Sequence, residues 1–493
     1  MKFVADLHLH SKYSRAVSPN MILPNMALWA KYKGINVIAT GDFTHPFWLE
    51  QLKNELEEKG NGLFRLKTND ERLKQEISFM LSCEISSIYS QGGKGRRIHN
   101  LFFFPNLESV EKFNKELIRR GSNLRSDGRP IVGISSRDLA KIALDSDSKA
   151  LVIPAHAWTP WFSVFGSFSG FDSIEECFGD MASYIYGIET GLSSDPAMNW
   201  QIEDLDDRAI LSFSDAHSLE KMGREATVFE AEEVSYEAIY DAISNSGKLR
   251  KLRKSEKSDN QKVRISDKQS LRSSSLGKLG TAGLKSESLT LRHSESSEYS
   301  VKPKIAFTIE FYPEEGKYHF TGHRDCNFSQ SPEESKKIGN ICPVCRRPLT
   351  VGVMDRVEQL RNRSSSFKYQ VSRDVRWIYP EESARPPYIS MVPLGEILAE
   401  VGGVAVGTKK VQDQYLALVG SLDSEFNVLI KAETSDIEKI AGSRVAEGID
   451  RVRSGLIAVE PGYDGKFGVV KIWATESKEE KETEKQSQLN LFV

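Results

Sequence analysis

The first half of this sequence predicts an α/β fold of barrel type, on three observations. Strand-like and helix-like stretches alternate from residue 2 to about residue 247. Several of the strands run into Asp or His, and the histidines crowd into this half, six of the nine lying before residue 220. Strand ends are where α/β barrels place their active sites. Residues 2–7 form the first expected strand, with Phe3-Val4-Ala5 leading to Asp6 and His8. A helix follows from Met26 to Lys33, then a strand from Ile35 to Thr40 that leads to Asp42 and His45. Further on, Leu151-Val152-Ile153 leads to His156, and Ile210-Leu211-Ser212-Phe213 to Asp215 and His217.

The 493 residues predict two or three domains. Lys+Arg total 66 and Asp+Glu 69, so there is no global positive field, and highly basic packaging proteins are excluded. Contacts to nucleic acid must come from local basic patches. No run approaches the ~18–20 apolar residues of a spanning helix, and Met1-Lys2-Phe3-Val4-Ala5-Asp6 lacks the apolar core of a signal peptide. The expectation is a soluble, cytoplasmic, nucleoid-associated protein with no membrane partner. Five cysteines, an odd number in a long chain, do not form a disulfide framework.

Composition divides the chain at 1–247, 248–301, 302–350, 351–475 and 476–493. From Ser246 to about Ser300 the sequence turns to Ser, Lys, Arg and Glu without apolar periodicity, which reads as a linker or insertion with a basic start at Lys248–Lys254. That start reads either as a phosphate contact or as a solvated charge run. The alternating strand Ile305–Phe311 opens the next segment, and the region after 350 reads as helical. Two of its helices end on glycine, Leu394–Val401 at Gly402-Gly403 and Val445–Val452 at Gly455. Ile437–Gly442 followed by Ser443 and Arg444 reads as a helix-hairpin-helix, whose turn aims backbone N–H groups at phosphate, or as an ordinary helical hairpin.

His8-x-His10 puts two imidazoles on one side of an extended chain, because side chains alternate with period two. Glu84, His99, His156, Asp215 and His217, with Asp42 or His45, extend the set. Buried carboxylates and imidazoles in such number require pairing or cations, so two or three divalent metals (Zn, Mg or Mn) sharing carboxylates are expected. In its His-x-His, its Glu, its two separate histidines and its final Asp-x-His, the sequence resembles the polymerase-and-histidinol-phosphatase (PHP) family over residues 1–245. The resemblance implies a distorted barrel that hydrolyses phosphoesters, with Glu84 as the bridging carboxylate. The second motif departs from the family: Thr40-Gly41-Asp42-Phe43-Thr44-His45 leaves Asp42 and His45 both open as ligand, and Ser14 and Arg15 stand where many members have a further His. Asp195, after Glu189-Thr190-Gly191, reads either as an added catalytic carboxylate beside Glu84 and Asp215 or as a helix cap before Pro196.

Three further features bear on the substrate. The loop after His156 carries Trp158, Trp161, Phe165 and Phe168, suited to stacking an extruded base or to packing on themselves as a lid. His323, Cys326, Cys342 and Cys345 suit a tetrahedral structural zinc, with His319 as the alternative histidine. Gln486, Leu489 and Phe492 follow the spacing of a sliding-clamp (PCNA) binding peptide. Barrel, zinc element, helical region and clamp peptide together resemble the archaeal endonuclease Q group. That resemblance implies cleavage of DNA on the 5′ side of deaminated bases and abasic sites, in duplex or single strand. The same barrel also serves exonucleases and small-molecule phosphatases, which need neither zinc element nor clamp peptide. An inactive clamp-tethered scaffold is opposed by the near-complete ligand set.

Overall fold

The computed structural model describes residues 1–73, 77–247, 301–364, 366–381 and 384–473. The expected linker from 248 to 300 with its basic start, and the tail with Gln486, Leu489 and Phe492, lie outside the described residues.

Strand β1 (Lys2–Asp6) buries Phe3, Ala5 and Asp6, and after the helix α1 (Leu23–Lys33) comes β2 (Val37–Ala39), wholly apolar, fully buried and parallel to β1. Helix α1 stops at Gly34, whose φ of +85° favours glycine and where a Cβ would lie 2.6 Å from Ser424 Oγ. After α2 (Pro46–Glu55) come the small hairpin β3 (Leu56–Glu58) and β4 (Phe64–Leu66), then the long hairpin β5 (Ser78–Gln91) and β6 (Lys94–Phe104). The turn between them is Gly92-Gly93, both at positive φ.

This hairpin distorts the barrel. Strand β5 runs parallel to β2, but β6 returns antiparallel to it. The next elements are α3 (Leu107–Arg119), β7 (Ile131–Val132), α4 (Ser136–Ser146) and β8 (Leu151–Pro154), with β8 antiparallel to β6. Helices α3 and α4 start on Asn106 and Ser135, whose side chains accept the Ser109 and Asp138 N–H groups. After α5 (Ile174–Phe178), β9 (Gly187–Glu189) pairs in parallel with β10 (Ala209–Leu211), which follows α6 (Pro196–Asn199). Strand β11 (Ala226–Glu230) closes back antiparallel on β1, and α7 (Tyr236–Ser244) covers the base.

The expected start of the zinc element belongs instead to the barrel sheet. Strand β12 (Lys304–Glu310) pairs antiparallel with β11, Val228 opposite Phe307. The zinc element itself holds β13 (Thr321–His323), β14 (Phe328–Gln330) and α8 (Pro332–Ile338), followed by α9 (Val353–Leu360). After α9 the region read as helical also holds three strands, β15 (Phe367–Ser372), β16 (Val375–Pro380) and β17 (Tyr388–Ser390), and β17 pairs in parallel with β12. Period-two alternation in Phe367, Tyr369 and Val371 accounts for them. One 13-stranded sheet thus runs through the described residues from β15 to β3.

The helices arrive at Leu394: α10 (Leu394–Gly402), α11 (Lys409–Ser421), α12 (Glu425–Ile430), α13 (Thr434–Ala441) and α14 (Ser443–Ser454). Leu394, Ile397 and Leu398 of α10 are buried in one core with Val445 and Ile449 of α14. Gly442, at φ +89°, joins α13 to α14. The buried pair Lys33–Glu425, at 2.7 Å, ties this region to α1. A hairpin of β18 (Ala458–Glu460) and β19 (Val469–Lys471) follows. No helix among the described residues is long and apolar enough to cross a membrane.

Candidate metal centre

Strand β1 continues extended through Leu7-His8-Leu9-His10, so the two imidazoles share a side while Leu7 and Leu9 enter the core. A carboxylate stands behind each ring. His8 Nδ1 lies 2.9 Å from Glu189 Oε1, and His10 Nδ1 lies 3.1 Å from Asp42 Oδ1. Carboxylates only accept, so each Nδ1 carries a proton and each Nε2 is the ring atom turned to the centre of the site. Both Nε2 atoms and Asp215 Oδ1 are buried without a hydrogen-bond partner. Asp215 Oδ1 is 3.5 Å from His8 Nε2 and 3.2 Å from His10 Nε2. Three orphaned ligand atoms converging in this way fit a cation.

Three overlapping groups are close enough to hold metals: His8, His10 and Glu84; His10, Asp215 and His217; and Glu84, His99 and His156. Glu84 is common to two. Its Oε2 lies 3.3 Å from His10 Nε2, and its Oε1 lies 2.6 Å from His99 Nδ1 and 3.2 Å from His156 Nε2. Glu84 and His99 sit within β5 and β6 rather than at strand ends, as diagonal neighbours in a register that pairs Glu84 with Leu101 and Ser86 with His99. Burial works to raise the Glu84 pKa, but His99, Arg129 and the other histidines hold it well below the usual carboxylate range. Burial lowers His99 to about 4, so its ring is neutral and free to ligate. Asp42, His156 and Asp215 all have positive φ, at 51°, 31° and 47°, a concentration of backbone strain around one site.

Other residues singled out from sequence serve differently. Asp42 is fully enclosed, taking hydrogen bonds from Ser11 N, Ser11 Oγ and Ser14 Oγ besides His10, and stands outside the three groups. Ser14, where many PHP members have a His, is therefore one of its donors. His45 also stands outside them, stacked on Tyr13 at 4.5 Å. Asp195 takes the helix-cap role: Oδ1 accepts Met198 N at 2.8 Å and Oδ2 accepts the Tyr388 hydroxyl at 2.9 Å. Trp158 and Phe165 are buried against each other, Trp158 donating to Asn199 Oδ1, so they are core rather than base-stacking residues. Trp161 lines the site, and Phe168, 51% exposed, stacks on it at 4.7 Å with planes 5° apart.

Sequence reasoning missed three contributors. Glu189 orients His8 and also accepts His156 N at 2.7 Å; its place at a strand end was the available signal. Arg129 pairs with Glu84 Oε2 at 3.2 Å, and no spacing marks it. The third is the wall of a cleft of about 1100 Å³ that opens over His99, His156, Asp215 and His217. Gly316, Lys317 and Tyr318, with Phe467 from the β18–β19 loop, supply that wall, and Arg97, Arg129, Lys221 and Arg224 make the lining cationic.

His323, Cys326, Cys342 and Cys345 come together as a second group of four ligands. The β13–β14 hairpin delivers His323 and Cys326, and Arg346 N donates to Cys342 O in the tight turn that brings Cys345 round. His319 is excluded from it: buried with its ring tilted against Phe320, it lies outside the group. At the other end of the chain, Ser443 and Arg444 lie exposed at the start of α14. The Arg444 guanidinium sits over the Trp473 ring at 3.7 Å and pairs with Glu447 at 2.9 Å.

Barrel and ligand geometry together define a hydrolase with a PHP-type fold, whose clustered side chains could hold metal ions. A PHP-associated family model matches residues 210–246, and one described as the MJ0043 C-terminal domain matches 393–456, the span of α10 to α14. Along nearly its whole length the chain is similar to endonuclease Q. The lesion-specific endonuclease PfuEndoQ of Pyrococcus furiosus superposes with a TM-score of 0.71 at 27% identity, over 97% of this chain and 98% of that one. Endonuclease Q in complex with a 27-mer duplex carrying an abasic lesion at the active site gives 0.72 at 28%, over 97% and 100%. Among sequences, YqxK of Bacillus subtilis is 25% identical over 95% of this chain and 99% of its own length. MJ0043 of Methanocaldococcus jannaschii is 28% identical over 67% of this chain, which spans only 33% of that longer protein.

Proposed function

We propose that this chain is a metal-dependent DNA repair endonuclease that hydrolyses the phosphodiester on the 5′ side of a deaminated base (uracil, hypoxanthine or xanthine) or an abasic site, leaving 3′-hydroxyl and 5′-phosphate. The observation that carries the proposal is the likeness to endonuclease Q across barrel, zinc element and helices alike, including the form bound to an abasic duplex. His8, His10, Glu84, His99, His156, Asp215 and His217 would hold two or three divalent metals, and His323, Cys326, Cys342 and Cys345 one structural zinc. Cations in such a site supply Lewis-acid activation of water and charge neutralisation at phosphorus. The chain's own part is to fix the tautomers of His8 and His10 through Glu189 and Asp42, and to offer Arg129, Arg97 and Arg224 to the phosphates flanking the scissile one. The turn at Gly442-Ser443 would grip the backbone farther along the duplex, and Gln486, Leu489 and Phe492 would tether the enzyme to a sliding clamp.

The test is an end-labelled duplex with one deoxyuridine, deoxyinosine or abasic site, incubated with Mg²⁺ or Mn²⁺ beside an undamaged duplex and Glu84→Ala. A nick just 5′ to the lesion, absent from both controls, is expected. Stepwise shortening from an end, or phosphate release from small esters, would leave the barrel chemistry standing and remove the repair role.

A further inference from the structure

Phe467 is 65% exposed on the rim of the metal cleft, and its loop is held in place on every side. Residues 461–468 are stitched to the segment before β13 by backbone bonds from Gly462 N to Glu314 O, Gly468 N to Glu315 O, Gly465 N to Lys317 O and Phe320 N to Gly462 O. Asp464 adds side-chain bonds to Arg324 N and Thr350 Oγ1. Backbone approaches here are too close for any Cβ: one at Gly468 would lie 2.1 Å from Glu314 O, and one at Gly462 2.4 Å from Gly316 O. An apolar ring is thereby presented to solvent on a rigid mount beside the metal ligands. The ammonium of Lys317 lies over it, 4.5 Å from the ring centre. The next residue, Tyr318, meets Trp161 edge-on at 5.5 Å, and both line the same cleft as Phe467.

We propose that Phe467 is a wedge that enters the base stack of a duplex at the lesion and determines the preference for double-stranded over single-stranded substrate, with Lys317 contacting the adjoining phosphate. This rests on the lesion-endonuclease reading given above. Extrusion of a nucleotide leaves a gap in the duplex stack, and rigid apolar side chains are the type that fill such gaps. A ring already fixed in the open requires no ordering on binding. In a single strand there is no opposing stack to hold apart, so the wedge matters less there.

The experiment compares wild type, Phe467→Ala and Phe467→Trp on one abasic-site oligonucleotide, as a duplex and as the same strand alone, in Mn²⁺. The expected result is that Phe467→Ala loses about tenfold or more of its duplex kcat/KM relative to its single-strand kcat/KM, and that Phe467→Trp restores the ratio. A 2-aminopurine placed opposite the lesion should brighten on binding of wild type and less with Phe467→Ala. Equal losses on both substrates, or no loss on either, would overturn the proposal. If wild type itself nicks neither substrate, the endonuclease reading fails, and the two failures are thus told apart.

Discussion

Glu189 offers the sharpest test of how the site is held. Its Oε1 accepts from His8 Nδ1 at 2.9 Å, and its Oε2 accepts from His8 Nδ1 at 3.1 Å and from His156 N at 2.7 Å. In Glu189→Gln one oxygen becomes an NH₂ group of nearly the same size. Placed at Oε2, that group faces the His156 N–H; placed at Oε1, it faces the proton of His8. Either way one buried donor meets another, at a cost of about 1–3 kcal/mol. The conflict falls on the side chains that hold the metals, so it should appear as weakened metal binding of roughly 10- to 100-fold. The assay is the Mn²⁺ concentration for half-maximal nicking, together with metal content by inductively coupled plasma mass spectrometry after dialysis. Thermal melting in excess chelator isolates any cost to the fold alone. An unchanged Mn²⁺ midpoint, with or without a fall in the maximal rate, would refute the orienting role.

Three other outcomes are expected. Cys342→Ser should lower bound zinc by one per chain and reduce the melting temperature while the barrel ligands stay intact, measured by metal analysis and calorimetry. Asp195→Ala should cost about 1–2 kcal/mol through the lost cap on α6, read by denaturant titration, with nicking retained. Burial, with the nearby Asp195 carboxylate, raises Glu310 to about 8 against the hydroxyls of Ser212, Thr308 and Thr190, whose hydrogen bonds to it work the other way. A carboxyl that is protonated in the fold and ionised in the unfolded chain adds stability that is fully present below the unfolded pKa of ~4.5 and is lost as pH rises through about 8. Glu310→Gln should therefore gain stability relative to wild type between pH 5 and pH 8, and a constant difference across that range would count against it.

His8 and His10 were legible because period-two alternation dictates one shared side, and the Cys342-x-x-Cys345 spacing dictates a knuckle. The sequence favours His323 over His319, and His323 is the histidine grouped with the cysteines, but both neighbour them in sequence, and only the packing of His319 beside Phe320 makes its exclusion firm. Trp158 and Trp161 illustrate the same limit: an irregular loop has no period, so nothing local tells the inward ring from the outward one. Asp42 and His45 both lie in the second PHP motif, yet an orienting carboxylate and a ligand look alike until their hydrogen bonds are counted. The joining of β12 to the barrel is a long-range pairing, and local pattern carries no information about a partner strand more than 70 residues away.

Because β12 continues the barrel sheet from β11 to β17, the chain has no natural seam between its barrel and the segments that follow it. A fragment ending at Gly247 would expose the edge of β11 and strip Val228 and Phe229 of their neighbours on β12. Substitutions in β12 or β17 would act on nuclease chemistry without touching a single ligand.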